Sequence, residues 1–224
     1  MARFDRMTVL NAMLDTGLVP IFYNGDLAVS KEVVLACARG GARLVEFTNR
    51  GDRAWNVFTE LIDVLAQAAP TIILGAGTVL DAPTAAMYIA SGANFIVGPN
   101  FNPEVARLCN RRKVAYIPGC GTVSEISAAE EMGAEIVKIF PGGQLGGPGF
   151  VKAVLGPMPW TRLMPASGVD VTQENVQGWI KAGAACLGVG SHLVRKDYVV
   201  AGNYDAIADG VRRVLNWIWE AKSV

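Results

Sequence analysis

Short apolar runs recur along the chain, each introduced by Gly-Ala at the end of a segment with helical periodicity. Gly41-Ala42 precedes Leu44-Val45-Glu46-Phe47, and Gly92-Ala93 precedes Phe95-Ile96-Val97. Gly133-Ala134 precedes Ile136-Val137-Lys138-Ile139, and Gly183-Ala184 precedes Cys186-Leu187-Gly188-Val189. Glycine suits the position just past a helix end, where left-handed backbone is needed. A short apolar run is what a parallel strand covered on both faces requires. Each unit therefore reads as helix, turn, strand. Further strands are expected at 18–22, 72–76, 115–117 and 162–164, and helices at 30–39, 54–68, 103–112 and 123–132. The pattern predicts eight strands and eight helices, plus an extra helix near 3–14.

Such alternation, with no Pro/Ser-rich linker, predicts one parallel α/β domain spanning residues 1–224. Eight repeats in about 200 residues is the lower size limit of a (β/α)8 TIM barrel. Residues 1–16 would then form an N-terminal helix packed on the barrel. A doubly wound open sheet competes, but the first strand-to-helix turn, Tyr23-Asn24-Gly25-Asp26, lacks a dinucleotide-type glycine fingerprint. In a barrel, function lies at the C-terminal ends of the strands.

Composition narrows the partners. Twenty basic and twenty acidic residues leave no net charge, so no polybasic footprint points to nucleic acid or an anionic membrane. Arg111-Arg112-Lys113 reads as a solvated helix end. Cys37, Cys109, Cys120 and Cys186 lack the short spacings of zinc or redox motifs, so buried free thiols are expected. The N-terminus has no apolar signal-peptide core, and no run approaches the roughly 18 apolar residues of a membrane span. A soluble, cytoplasmic protein is expected.

Two charges interrupt apolar strands. Alternation places Ile136, Lys138 and Phe140 on one face of the sixth strand. Both faces of a barrel strand are covered, and desolvation disfavours an ammonium ion. A neutral amine is what addition to a carbonyl needs. Read alone, Lys138 fits a lysine snorkelling to water equally well. Glu46 interrupts the second strand in the same way, and strands two and six face each other across an eight-stranded barrel. The two side chains could meet at the functional end, as a catalytic couple or as a structural ion pair, which would add little stability. Arg50 follows in the same parity as Glu46 and could hold a carboxylate or phosphate through its planar fork, or simply face solvent.

Glycine turns follow the last two strands, as Ser167-Gly168-Val169 and Gly188-Val189-Gly190-Ser191-His192. Such turns let backbone N–H groups approach an anion, and the loops after strands seven and eight are the recurrent phosphate site of this fold. Tight turns also use glycine for its own sake. Gly75-Ala76-Gly77-Thr78 is another close-approach loop, where Thr78 could bind substrate or cap the turn. His192 is the sole histidine and reads as structural. A histidine-based metal site cannot be assembled from one histidine, so no metal is expected.

Taken together, these motifs resemble the 2-keto-3-deoxy-6-phosphogluconate (KDPG) aldolases, a family that includes the 2-keto-4-hydroxyglutarate (KHG) aldolases. The likeness rests on Glu46-Phe47-Thr48-Asn49-Arg50, Gly75-Ala76-Gly77-Thr78-Val79, Pro118-Gly119-Cys120-Gly121-Thr122-Val123-Ser124-Glu125, Lys138-Ile139-Phe140-Pro141, and the two glycine turns. The resemblance implies a homotrimeric (β/α)8 barrel and class I aldol chemistry without a cofactor. Lys138 would match the Schiff-base lysine and Glu46 the acid/base. Arg50, Thr78, Phe140 and Pro141 would match the pocket for the pyruvate-derived carboxylate. Gly168, Gly190 and Ser191 would match the phosphate site. The chain departs from the family at Ser167, where glycine is common, and near Tyr23, where many relatives carry a basic residue. The implied substrate is a small, phosphorylated 2-keto acid. A phosphogalactonate-type aldolase, a sugar-phosphate isomerase or epimerase, and a non-catalytic barrel are the other readings.

Overall fold

A computed structural model describes residues 2–223, leaving Met1 and Val224, the ends of the expected domain, outside the described residues. Among the described residues lie ten helices and nine strands. The first half runs α1 (Arg6–Thr16), β1 (Leu18–Phe22), α2 (Leu27–Arg39), β2 (Leu44–Thr48), α3 (Ala54–Ala68), β3 (Ile73–Gly77), α4 (Ala82–Ala90), β4 (Phe95–Val97) and α5 (Pro103–Arg112). The second runs β5 (Ala115–Ile117), β6 (Gly119–Cys120), α6 (Val123–Glu131), β7 (Val137–Ile139), α7 (Pro148–Leu155), β8 (Leu163–Pro165), α8 (Gln173–Lys181), β9 (Leu187–Val189), α9 (Lys196–Val200) and α10 (Tyr204–Lys222).

Two differences from the expected count have local causes. The expected strand 115–117 forms as β5, and past Pro118, whose nitrogen has no hydrogen to give a ladder, the chain pairs again as the extra strand β6. A short helix, α9, lies between β9 and the long terminal helix. Helix starts also move. Asp26 accepts from the Val29 amide, so α2 begins three residues before the expected position 30. Asp5 accepts from Thr8, so α1 begins at Arg6 rather than at position 3.

All strand pairs are parallel. One sheet has the order β5-β4-β3-β2-β1-β9 and curves as a half-barrel; a second has β6-β7-β8. A parallel bridge joins Ala166, just past β8, to Gly188 on β9. The four Gly-Ala units end their helices alike. Gly41, Gly92, Gly133 and Gly183 have φ between +84° and +103°. The alanine after each donates to a carbonyl five residues back, as Ala42 does to Cys37 and Ala184 to Trp179.

The helices cover one face of the strands in a large apolar cluster that includes Phe47, Phe58, Tyr88 and Trp179. A smaller cluster takes Val19, Leu44, Ile73, Phe95, Ala115, Ile136, Met164 and Cys186, from each strand except β6 or from the residue before it. Val9, Leu10, Ala12 and Met13 of α1 close this cluster at the strands' N-terminal ends. Trp217 is half-buried against the larger cluster, whereas Trp219 is exposed. Arg111 and Arg112 end α5, with Lys113 its left-handed cap. No helix among the described residues is long and apolar enough to cross a membrane.

Candidate active site

β2 is buried along its whole length, and Glu46 in its centre is 0% exposed. Its register is fixed on both sides, by Ile21 of β1 and Gly75 of β3. Neither carboxylate oxygen has a hydrogen-bond partner. The space for this side chain is made by Gly77, where a Cβ would lie 1.8 Å from Oε1 of Glu46. Burial pushes the Glu46 carboxyl above its ordinary range, and the positive charges of Lys138 and Arg50 offset only part of that.

Lys138 occupies the middle of β7, in register with Gly119 and Met164, and is 7% exposed. Its backbone amide donates to the Pro118 carbonyl at 2.8 Å. The side chain does not bond Glu46. Its Nζ instead stands over the Phe140 ring, 5.1 Å from the centroid. The Phe140–Pro141 peptide is cis. Glu46 and Lys138, from different sheets, are close enough to feel each other's charge without being an ion pair.

Lys138 forms part of the wall of a cavity of about 670 Å³ at the C-terminal ends of the strands. Among the residues singled out in the sequence, Arg50, Phe140, Gly168, Gly190 and Ser191 also line it. Glu46 is packed behind the wall, and Thr78 and Pro141 are not part of it. Thr78 is half-buried with φ +58°, one residue past the glycine that accommodates Glu46. Thr48 reaches the wall as well, its hydroxyl donating to the Phe22 carbonyl at 3.2 Å.

Gly168 has φ +78°, and a Cβ there would meet Cα of Gly143 at 2.5 Å. Only glycine fits between these two turns. Ser167 beside it also lies in the left-handed region, at φ +69°, a conformation that favours glycine. The carbonyl of Gly168 accepts from the Trp179 indole at 3.3 Å, which ties the turn to α8.

Sequence reasoning missed Asn24 and Lys196, and it placed His192 among structural residues; all three line the cavity. His192 follows Gly190-Ser191 directly, a signal that was available. Nothing in the sequence marks Lys196. Among the described residues no Asp or Glu lines this cavity, whose wall carries Arg50, Lys138 and Lys196. It is built for an anion. Among the described residues, no group of three or more His, Cys, Asp and Glu is placed to hold a metal ion.

Comparison with known proteins gives consistent likenesses. The family model described as "KDPG and KHG aldolase" matches residues 9–209. The 2-dehydro-3-deoxy-phosphogluconate aldolase of Haemophilus influenzae is 32% identical over 215 residues, covering 96% of this chain and 99% of that protein. The KHG/KDPG aldolase of Escherichia coli is 30% identical over 209 residues, covering 93% and 95%. The KDPG aldolase of Legionella pneumophila, solved with pyruvate captured as a covalent carbinolamine, superposes with a TM-score of 0.82 at 25% identity, covering 91% of this chain and 96% of that one. A native KDPGal structure superposes with a TM-score of 0.82 at 27% identity, covering 92% and 96%.

Proposed function

The chain belongs to the KDPG and KHG aldolase family, and from that premise we propose that it is a class I aldolase using Lys138 as its Schiff-base nucleophile. Its substrate in this reading is 2-dehydro-3-deoxy-6-phosphogluconate, cleaved to pyruvate and D-glyceraldehyde 3-phosphate. The shorter 4-hydroxy-2-oxoglutarate would give pyruvate and glyoxylate by the same steps. The observation that carries the proposal is the buried couple: an amine in the wall of a cavity lined by basic groups, with a buried, unbonded carboxyl within electrostatic reach.

Nζ of Lys138 adds to the C2 carbonyl, and loss of water leaves a protonated imine. The imine draws the electrons of the C3–C4 bond as a base removes the C4 hydroxyl proton. Cleavage releases the aldehyde and leaves an enamine on Lys138. Protonation at C3 and hydrolysis then free pyruvate. Glu46 is the acid/base, because burial raises its carboxyl and so makes it a better proton acceptor than an ordinary carboxylate, able to return the proton afterwards. Since Glu46 stands behind the wall, a bridging water carries the proton to and from the substrate. Arg50 takes the substrate carboxylate through its fork, with Thr78, Phe140 and Pro141 at the same end. Gly168, Gly190 and Ser191 bind the phosphate. The scheme needs no metal or cofactor, because the lysine imine is itself the electron sink.

We read the two sheets as one closed (β/α)8 barrel in a single domain, with α1 as the extra helix. Support comes from the single residue between β5 and β6, the Ala166–Gly188 bridge, and a core cluster drawing on every strand but β6. Exposed Trp55, Leu80 and Met87, on α3, α4 and the turn before α4, fit subunit contacts in the homotrimer that the family resemblance implies.

Borohydride reduction in the presence of pyruvate tests the mechanism. A stable adduct mapping to Lys138, absent from Lys138→Ala, is expected; an active protein left unmodified overturns the imine. A second reading, a 2-dehydro-3-deoxy-6-phosphogalactonate aldolase, is favoured by the likeness to the KDPGal structure, and the relative rates on the two epimeric substrates separate them.

A further inference from the structure

His192, in the wall of the cavity, meets Asp170, Nδ1 of the imidazole facing Oδ1 of the carboxylate. They come from different turns. Asp170 follows Ser167-Gly168-Val169 after β8, and His192 follows Gly190-Ser191 after β9. Both side chains are about half exposed, at 57% and 48%, and an exposed pair of this kind adds little to stability. Its position is more informative. His192 lines the cavity, while Asp170 does not. With Nδ1 turned to Asp170, Nε2 is the ring's remaining polar atom.

The carboxylate end of this device is fixed. The Asp170 backbone amide donates to Oδ1 of Asn175 at 2.9 Å, and Asn175 and Trp179 both donate to the carbonyl of Gly168. These contacts hold the turn against α8. Lys196 enters the cavity wall from α9 and has no ion-pair partner among the described residues, whereas its neighbour Arg195 is committed to Asp197.

We propose that His192, oriented by Asp170, is a specificity-determining residue that reads the terminal phosphate of the substrate, so that this chain discriminates between phosphate-ended and carboxylate-ended 2-keto acids. The inference rests on the aldolase reading above. With Nδ1 held by Asp170, the ring presents Nε2 to the bound phosphate as a hydrogen-bonding partner, and Lys196 supplies a positive charge beside it. A five-carbon diacid ends one carbon past the C4 hydroxyl and carries no phosphate, so it offers His192 no phosphate oxygen to bind. Asp170 is a positioning residue, acting through His192 alone.

The test compares kcat/KM for 2-dehydro-3-deoxy-6-phosphogluconate with that for 4-hydroxy-2-oxoglutarate in His192→Phe, Asp170→Asn and Asp170→Glu. The ratio is expected to fall roughly tenfold or more in His192→Phe, the loss of one hydrogen bond to a charged group. Asp170→Asn should lower it less, mainly through KM, and Asp170→Glu should recover part of the loss. A ratio that stays at the wild-type value in His192→Phe overturns the proposal. Titration calorimetry with inorganic phosphate gives an arm independent of turnover, with binding expected to weaken by a similar factor, and equal binding counting against the proposal. Pyruvate and borohydride on the same proteins report on the imine alone, so failure of the aldolase reading and failure of the phosphate reading give different patterns.

Discussion

Glu46 is a carboxyl with no hydrogen bond to either oxygen, at a depth where charge is poorly solvated. Its raised titration makes stability depend on pH in a definite direction. The folded state holds this proton more tightly than the unfolded chain. Its contribution to stability is therefore complete below the ordinary carboxyl range and is lost as pH rises through the raised value. Glu46→Gln cannot ionise and escapes that loss. The thermal midpoint of the variant minus that of wild type should accordingly increase as pH is raised from 3.5 toward neutrality; a constant difference would show that the carboxyl titrates normally. Both members of the couple were legible in the sequence because each is a charge inside an apolar strand. What the sequence left open was their relation. Side-chain length and parity allow an ion pair, whereas in the fold Nζ stands over the Phe140 ring. The contact of His192 with Asp170 was not legible either: the two lie 22 positions apart in the chain, and no local pattern brings Asp170 to it.

At the scale of elements, the Gly-Ala units announced four helix ends and the strands after them, and all four end in the same left-handed turn. Helix starts were less legible, since Asp5 and Asp26 look like ordinary surface residues until their side chains are seen to cap amides. The motif Gly121-Thr122-Val123-Ser124-Glu125 gains an explanation here. Thr122 accepts from the Glu125 amide, and Glu125 accepts from the amides of Gly121 and Thr122, a reciprocal capping box at the start of α6. Removing the hydroxyl in Thr122→Ala should cost about 1 kcal/mol. For a chain of this size that is a fall of about 2–4 °C in thermal midpoint by calorimetry, and an unchanged midpoint would mean that α6 is held by packing alone. Pro118 shows the opposite limit. The expected strand 115–117 stops just before it, and the two paired residues beyond its missing N–H, β6, went unread in the sequence.

Across the whole molecule, the absence of short cysteine spacings was a sufficient guide. Cys37, Cys109, Cys120 and Cys186 are all buried and unpaired, and burial pushes each thiol up to about 12. At pH 8 the nucleophilic thiolate is then scarce as well as inaccessible. Ellman's reagent should find no fast-reacting thiol in the native protein and four after denaturation; a fast-reacting native thiol would place one of them at the surface. The layered order of the chain was likewise readable, because buried parallel strands leave a composition of their own. The cavity's outer wall was not. Asn24, His192 and Lys196 come from separate turns and a five-residue helix, where neither periodicity nor burial marks a residue.

The smaller apolar cluster sits under α1 at one end of the strands, while the cavity opens at the other. Sites separated in this way contribute to stability almost independently. A lineage carrying this scaffold can therefore exchange residues of the cavity wall one at a time, while the folded state keeps the same foundation, and such exchanges leave little trace in the part of the chain that makes it fold.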